Sequence, residues 1–88
     1  MKIEYHKSFQ KAFKQLDRKT QDKVIERIKV FQGDANYSLL KNHPLKGSMK
    51  GKRAISVTGS IRIIFEEFED YTFVLMLDVG GHPQVYGM

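Results

Sequence analysis

The 88 residues are 41% hydrophobic and 28% charged, the balance of a folded soluble protein rather than of a disordered or fibrous chain. A chain this short buries roughly 60–65% of its unfolded surface, enough for one modest core and one domain over residues 1–88, and the absence of cysteine excludes disulfides, thiolate metal sites and a cysteine nucleophile. The net charge of +5 is uneven: Met1 to Arg53 holds 14 Lys/Arg against 5 Asp/Glu, whereas Ala54 to Met88 holds Arg62 alone against 5 acids.

A basic segment of that strength suits a polyanionic partner, because each phosphate contact releases condensed counterions. A solvated lysine-rich helical surface accounts equally for the helical part. The opening MKIEYHKSFQ has no signal-like apolar run, and no stretch approaches the about 20 apolar residues of a membrane span. A soluble, cytoplasmic protein with no membrane association is expected.

In chain order, Lys2–Tyr5 alternates Ile3 and Tyr5 with polar neighbours and predicts a short strand. Ser8 is the expected N-cap of a first helix, with Phe9, Ala12, Phe13 and Leu16 on one face. Asp17 should cap a second helix that turns Val24, Ile25, Ile28 and Phe31 inward and stops near Gly33. Arg53–Val57 and Ser60–Phe65 predict strands joined by a two-residue turn at Thr58-Gly59, with Gly59 at positive φ. The acidic segment Glu66 to Asp70 is the next turn, and Phe73–Val79 the last strand.

The order β-α-α-β-β-β predicts an α+β fold, an antiparallel sheet packed against an N-terminal helical hairpin. With the turn at Thr58-Gly59, Val57 pairs with Ser60, Ile55 with Arg62 and Arg53 with Ile64. Arg53 and Arg62 then share the open face, while Ala54, Ile61, Ile63 and Phe65 meet the helices. A one-residue slip reverses that assignment.

The segment from His43 to Arg53 places Lys46, Lys50, Lys52 and Arg53 beside Gly47 and Gly51. Glycines permit close backbone approach and the cations suit phosphates, so the segment is either a phosphate-contacting loop or a solvated one. Its spacing does not match a Walker P-loop. Three histidines are present: His6 suits a surface or capping position, while His43 and His82 each precede a proline and are biased to extended backbone. Imidazole suits acid–base work around neutrality, although a lone histidine is more often structural. No HExxH or cysteine partner marks a metal site, and no cofactor motif is present. Tyr86 has the chemistry to donate a proton, bind a phosphate, stack on a base, or simply pack.

Taken together, Leu40-x-x-His43-Pro44-Leu45-x-Gly47, Gly51-x-Arg53, Ser60-Ile61-Arg62-Ile63-Ile64-Phe65 and Gly80-Gly81-His82-x-x-Val85-Tyr86 resemble the RelE/ParE toxin superfamily. The RelE, YoeB and YafQ branches are nearest, and the resemblance spans essentially the whole chain. It implies the toxin of a type II toxin–antitoxin system: a metal-independent endoribonuclease that cleaves mRNA in the ribosomal A site through 2′-OH attack, held in check by a cognate antitoxin. By position it implies Arg62 as the cation on the transition-state phosphate, His43 as a base, His82 as the acid and Tyr86 as an orienting aromatic. Lys46, Lys50, Lys52 and Arg53 would bind RNA backbone. Ser56 and Ser60 stand where the YafQ branch carries a histidine and an aspartate, which leaves open an inactive RNA-binding relative. ParE members share the fold but poison DNA gyrase, the other alternative.

Overall fold

Helical periodicity in the first 33 residues gives way to alternation after residue 53, and the elements follow that change. The computed structural model describes residues 1–81. Strand β1 (Lys2–Tyr5) leads into helices α1 (Lys7–Gln15) and α2 (Arg18–Gly33), then strands β2 (His43–Pro44), β3 (Arg53–Ser56), β4 (Ile61–Phe68) and β5 (Phe73–Gly81). Short 3-10 turns occupy Ser38–Leu40 and Gly47–Met49. Among the described residues no helix is long and apolar enough to cross a membrane.

The expected α+β layering is present, with the sheet ordered β1-β5-β4-β3-β2. It is mixed rather than wholly antiparallel: β1 runs parallel to β5, Ile3 opposite Val74 and Tyr5 opposite Met76. A parallel neighbour requires a crossover, which the helical hairpin begins. β2 is an addition, a two-residue edge strand pairing His43 with Ala54 and Pro44 with Arg53.

Helix α1 begins two residues earlier than the Ser8 cap implies. His6 is the N-cap, its Nδ1 accepting the Ser8 amide at 3.0 Å. Asp17 caps α2 as expected, with Oδ1 accepting the Thr20 amide at 3.1 Å. Hydrogen bonds from the Thr20 side chain and amide hold the Asp17 carboxyl below its ordinary pKa. Val24, Ile28 and Phe31 are buried, but Ile25 is 45% exposed and lines an apolar groove with Tyr5, Phe9 and Phe13.

The core lies between the helices and one face of the sheet. Phe9, Val24, Ile28, Phe31 and Leu40 close over Ile55, Val57, Ile63, Phe65, Val74, Met76 and Val79. Phe31 meets Phe65 edge-on at 5.0 Å and Tyr71 at 6.0 Å. A smaller apolar cluster on the opposite face joins Ala54 and Ile64 to Leu45, Met49 and Leu77, so the segment before β3 folds back over the sheet.

The acidic turn falls later than expected, because β4 continues through Phe68. Glu69, Asp70 and Tyr71 all take left-handed backbone, at φ 53°, 54° and 67°. Such residues are strained unless their surroundings fix them. Here the Glu67 carboxylate accepts the Tyr71 amide at 2.9 Å, and the Tyr71 ring is held by Phe31 and Phe65.

Phe65 is fully buried at the centre of this aromatic group. Phe65→Ala is expected to lower stability by about 3–5 kcal/mol, read as a drop in the urea midpoint with little change in slope.

Candidate anion-binding site

The β3–β4 hairpin decides which side chains meet. Arg53 pairs with Phe65, Ala54 with Ile64, Ile55 with Ile63 and Ser56 with Arg62. This is one residue away from the register expected from a Thr58-Gly59 turn. The loop is three residues long, Thr58-Gly59-Ser60, closed by the Val57 amide on the Ile61 carbonyl at 2.9 Å. Thr58 supplies the reason: its Oγ1 accepts the Ser60 amide at 3.3 Å and the Ile61 amide at 3.1 Å, so a side chain closes the turn. Gly59 is not among the residues at positive φ.

The slip changes the faces. Ile61, Ile63 and Phe65 meet the helices as expected, but Ile55 joins them, Ala54 moves to the open face, and Arg53 and Arg62 lie on opposite sides. Half-buried Arg53 donates through Nε to Asn42 Oδ1 at 2.9 Å. Asn42 in turn donates to the Ala35 carbonyl and the Tyr71 hydroxyl, at 3.0 and 2.9 Å. Arg53, singled out for RNA backbone, is thus part of a strut that fixes the approach to β2.

Arg62 stands on the open face, with Ser56 directly across from it. Its Nη1 donates to the carbonyls of Thr58 at 3.0 Å and of Gly59 and Ile61 at 3.4 Å. Among the described residues no acceptor meets Nε or Nη2, so the guanidinium is held by one corner and presents the rest. Pairing with Ala54 sets His43 on the same face, its backbone roughly 12 Å from that of Arg62 by sheet spacing. The His43 Nδ1 lies 2.8 Å from the Lys41 carbonyl. A carbonyl only accepts, so Nδ1 carries the proton and neutral His43 keeps its lone pair on Nε2.

The loop between β2 and β3 carries the lysines. Its Leu45 and Met49 dock it on the open face, while Lys46 and Lys50 bracket the 3-10 turn and are exposed. Half-buried Lys52 accepts the Leu45 amide through its carbonyl, extending the β2–β3 ladder. Gly47 and Gly51 sit at φ 65° and 94°, so the glycines serve the chain reversals of this loop.

Ion pairs among the described residues involve Lys2 with Glu4, Arg18 with Asp22, and Glu26 with Lys23 and Arg27. None involves Lys41, Lys46, Lys50, Lys52 or Arg62. No group of three His, Cys, Asp or Glu side chains gathers among the described residues to hold a metal ion. A cleft of about 260 Å³ opens at the hairpin, lined by Arg27, Leu39, Lys41, Ser56, Val57, Thr58, Gly59 and Arg62. Arg27 and Lys41 were not singled out from the sequence. Arg27 reads as one more cation on an amphipathic helix, and only the fold reveals that it reaches the β3–β4 loop. His82 and Tyr86 lie outside the described residues; the described chain ends at Gly81, opposite Ile61, with Gly80 opposite Arg62.

A helical hairpin laid across a five-stranded mixed sheet, with an arginine on the open face, defines the RelE-like class of fold. YafQ from E. coli superposes with a TM-score of 0.81 at 21% identity, covering 97% of each chain. The YoeB/ParE toxin from Agrobacterium tumefaciens matches at 0.77 and 20% identity, covering 93% of this chain and 99% of that one. The RelBE2 toxin–antitoxin complex of Mycobacterium tuberculosis contains a similar chain at 0.69 and 17% identity, covering 92% and 96%. No protein-family model and no curated protein matches the sequence.

Removing the Thr58 acceptor should loosen the turn on which Arg62 rests. Thr58→Val is expected to cost about 1 kcal/mol, measured by urea unfolding. An undiminished midpoint would deny the hydroxyl that role.

Proposed function

We propose that this chain is the toxin of a type II toxin–antitoxin pair, a ribosome-dependent endoribonuclease that cleaves mRNA in the A site. The observation that carries the reading is Arg62, a guanidinium anchored by loop carbonyls on a face whose other cations have no carboxylate partner among the described residues. Fixed N–H donors aimed at developing negative charge are what phosphoryl chemistry needs. The shared fold with YafQ, YoeB/ParE and RelBE2 toxins supports the same reading.

In this mechanism His43 Nε2 takes the proton from a ribose 2′-OH, and that oxygen attacks the adjacent phosphorus. Arg62 stabilises the charge on the phosphorane, and His82 protonates the departing 5′-oxygen. The products are a 2′,3′-cyclic phosphate and a 5′-OH. Tyr86 orients the phosphate or a base, and Lys46, Lys50 and Lys52 hold the flanking backbone. Side chains fill each role without a metal ion. The location is the cytoplasm, where translating ribosomes are. A cognate antitoxin covers the basic surface at rest, a partnership that complexes such as DinJ–YafQ from E. coli support by analogy.

Arg62→Ala is expected to slow cleavage by about 10²-fold or more, comparable to losing one transition-state donor, while leaving the protein folded. The measurement is primer extension on a defined mRNA in a purified translation system. Breaks at the A site with the native protein, and their loss in Arg62→Ala, are the expected result. Intact mRNA together with inhibited gyrase supercoiling would overturn the nuclease reading in favour of a ParE-like one.

A further inference from the structure

Three cations from three separate elements converge on the hairpin cleft: Arg27 from α2, Lys41 from the turn before β2, and Arg62 from β4. Sequence distance and element type give no reason for this meeting, and among the described residues it places three like charges beside a single carboxylate, that of Glu26. Arg62 and Arg27 are held through their guanidinium groups, Lys41 through its backbone. Arg27 is 16% exposed, its Nε donating to the Val57 carbonyl at 3.2 Å and its Nη1 meeting Glu26 at 3.3 Å. Lys41 is in left-handed backbone at φ 51°, ψ 44°, its amide on the Ser38 carbonyl at 3.2 Å. A lysine gains nothing locally from that conformation, which favours glycine or asparagine. The cleft volume of about 260 Å³ exceeds that of several waters. Its one strongly exposed apolar wall is Leu39, at 49%.

Cations gathered beside an exposed apolar side chain fit a nucleotide, with the phosphate on the charges and the ribose or base against Leu39. We propose that Arg27 and Lys41 form a second phosphate subsite, holding the phosphate adjacent to the one Arg62 engages. This rests on the nuclease reading and extends it, since it assigns a strand path: past Arg62, around the hairpin tip and into the cleft toward α2. Arg27 and Lys41 grip the strand and leave the chemistry to the open face.

The test uses 2′-O-methyl RNA, which binds but offers no 2′-OH for cleavage, and follows affinity by fluorescence anisotropy across a salt series at low ionic strength. Lys41→Asn is the informative variant, because asparagine tolerates the left-handed backbone and keeps the carbonyl that His43 meets. Its melting temperature should match or exceed that of the native protein. Binding should weaken roughly tenfold, and the slope of log affinity against log salt should flatten by about 0.7, the value for one phosphate on a single strand. Arg27→Lys, which keeps the charge and loses the fork, should weaken binding less. Strands carrying one neutral methylphosphonate then locate the contact. The Lys41→Asn deficit should vanish at the linkage next to the one that cancels the Arg62→Ala deficit. Native affinity and slope in Lys41→Asn, with Arg62→Ala still impaired, would overturn the subsite and leave the nuclease reading intact. Native binding no tighter than that of Arg62→Ala would overturn both.

Discussion

The pairing of Ser56 with Arg62 is the constraint on which the open face of this protein depends. Because side chains alternate across a strand, one residue of slip between β3 and β4 would set Ile55 beside Arg62 on the open face and turn Ala54 and Ser56 toward the helices. Two independent interactions fix the pairing. Burial of Ile55 together with Ile63 beneath the helical hairpin acts from the core side, and the Thr58 hydroxyl, by closing a three-residue loop, acts from the turn. The same loop directs the Thr58 and Gly59 carbonyls at Arg62, joined by that of Ile61 at the start of β4, so the device that sets the register also orients the guanidinium.

A second group of contacts carries this order to the edge of the sheet. The Tyr71 hydroxyl, Asn42 and Arg53 form a chain from the β4–β5 turn to the start of β3. Left-handed backbone at Tyr71 is tolerated because its ring is seated against Phe31 and Phe65. Asn42 directly precedes His43, and the edge strand β2 is only two residues long, too short to hold itself by ladder hydrogen bonds alone. The strut and the docking of Leu45 and Met49 provide the remainder. A basic loop of low intrinsic order is thereby attached to the sheet on both sides of His43.

Much of this was legible in the sequence, and the gaps have physical causes. Periodicity gave the helical hairpin, the strand positions and most of the core, because burial is written in spacing. Ile25 misled because the helix carries more apolar residues than the sheet can cover, and the surplus lines an open groove. The parallel β1–β5 pairing is invisible to alternation, which states that a strand has two faces and nothing of its partner's direction. The hairpin register turned on whether Gly59 or Thr58 controls the turn, a contest between a backbone preference and a side-chain hydrogen bond. Arg62 was identified by its place in a recognised pattern, and its face was anticipated correctly although its pairing was not. Arg53 was assigned to the open face by that same register and instead anchors the core-side strut. Arg27 and Lys41 went unnoticed because they become neighbours only through tertiary folding.

In the proposed function the polyanion lies on the open face, across His43, Ser56 and Arg62, and turns at the hairpin. The most direct measurement is a nuclear magnetic resonance titration of isotopically labelled protein with a short 2′-O-methyl RNA. Amide and guanidinium shifts should concentrate at Lys41, His43, Ser56, Thr58 and Arg62, leaving the α1–α2 groove around Phe9, Phe13 and Ile25 unmoved. Shifts confined to that groove, with the Arg62 guanidinium unperturbed, would contradict the account.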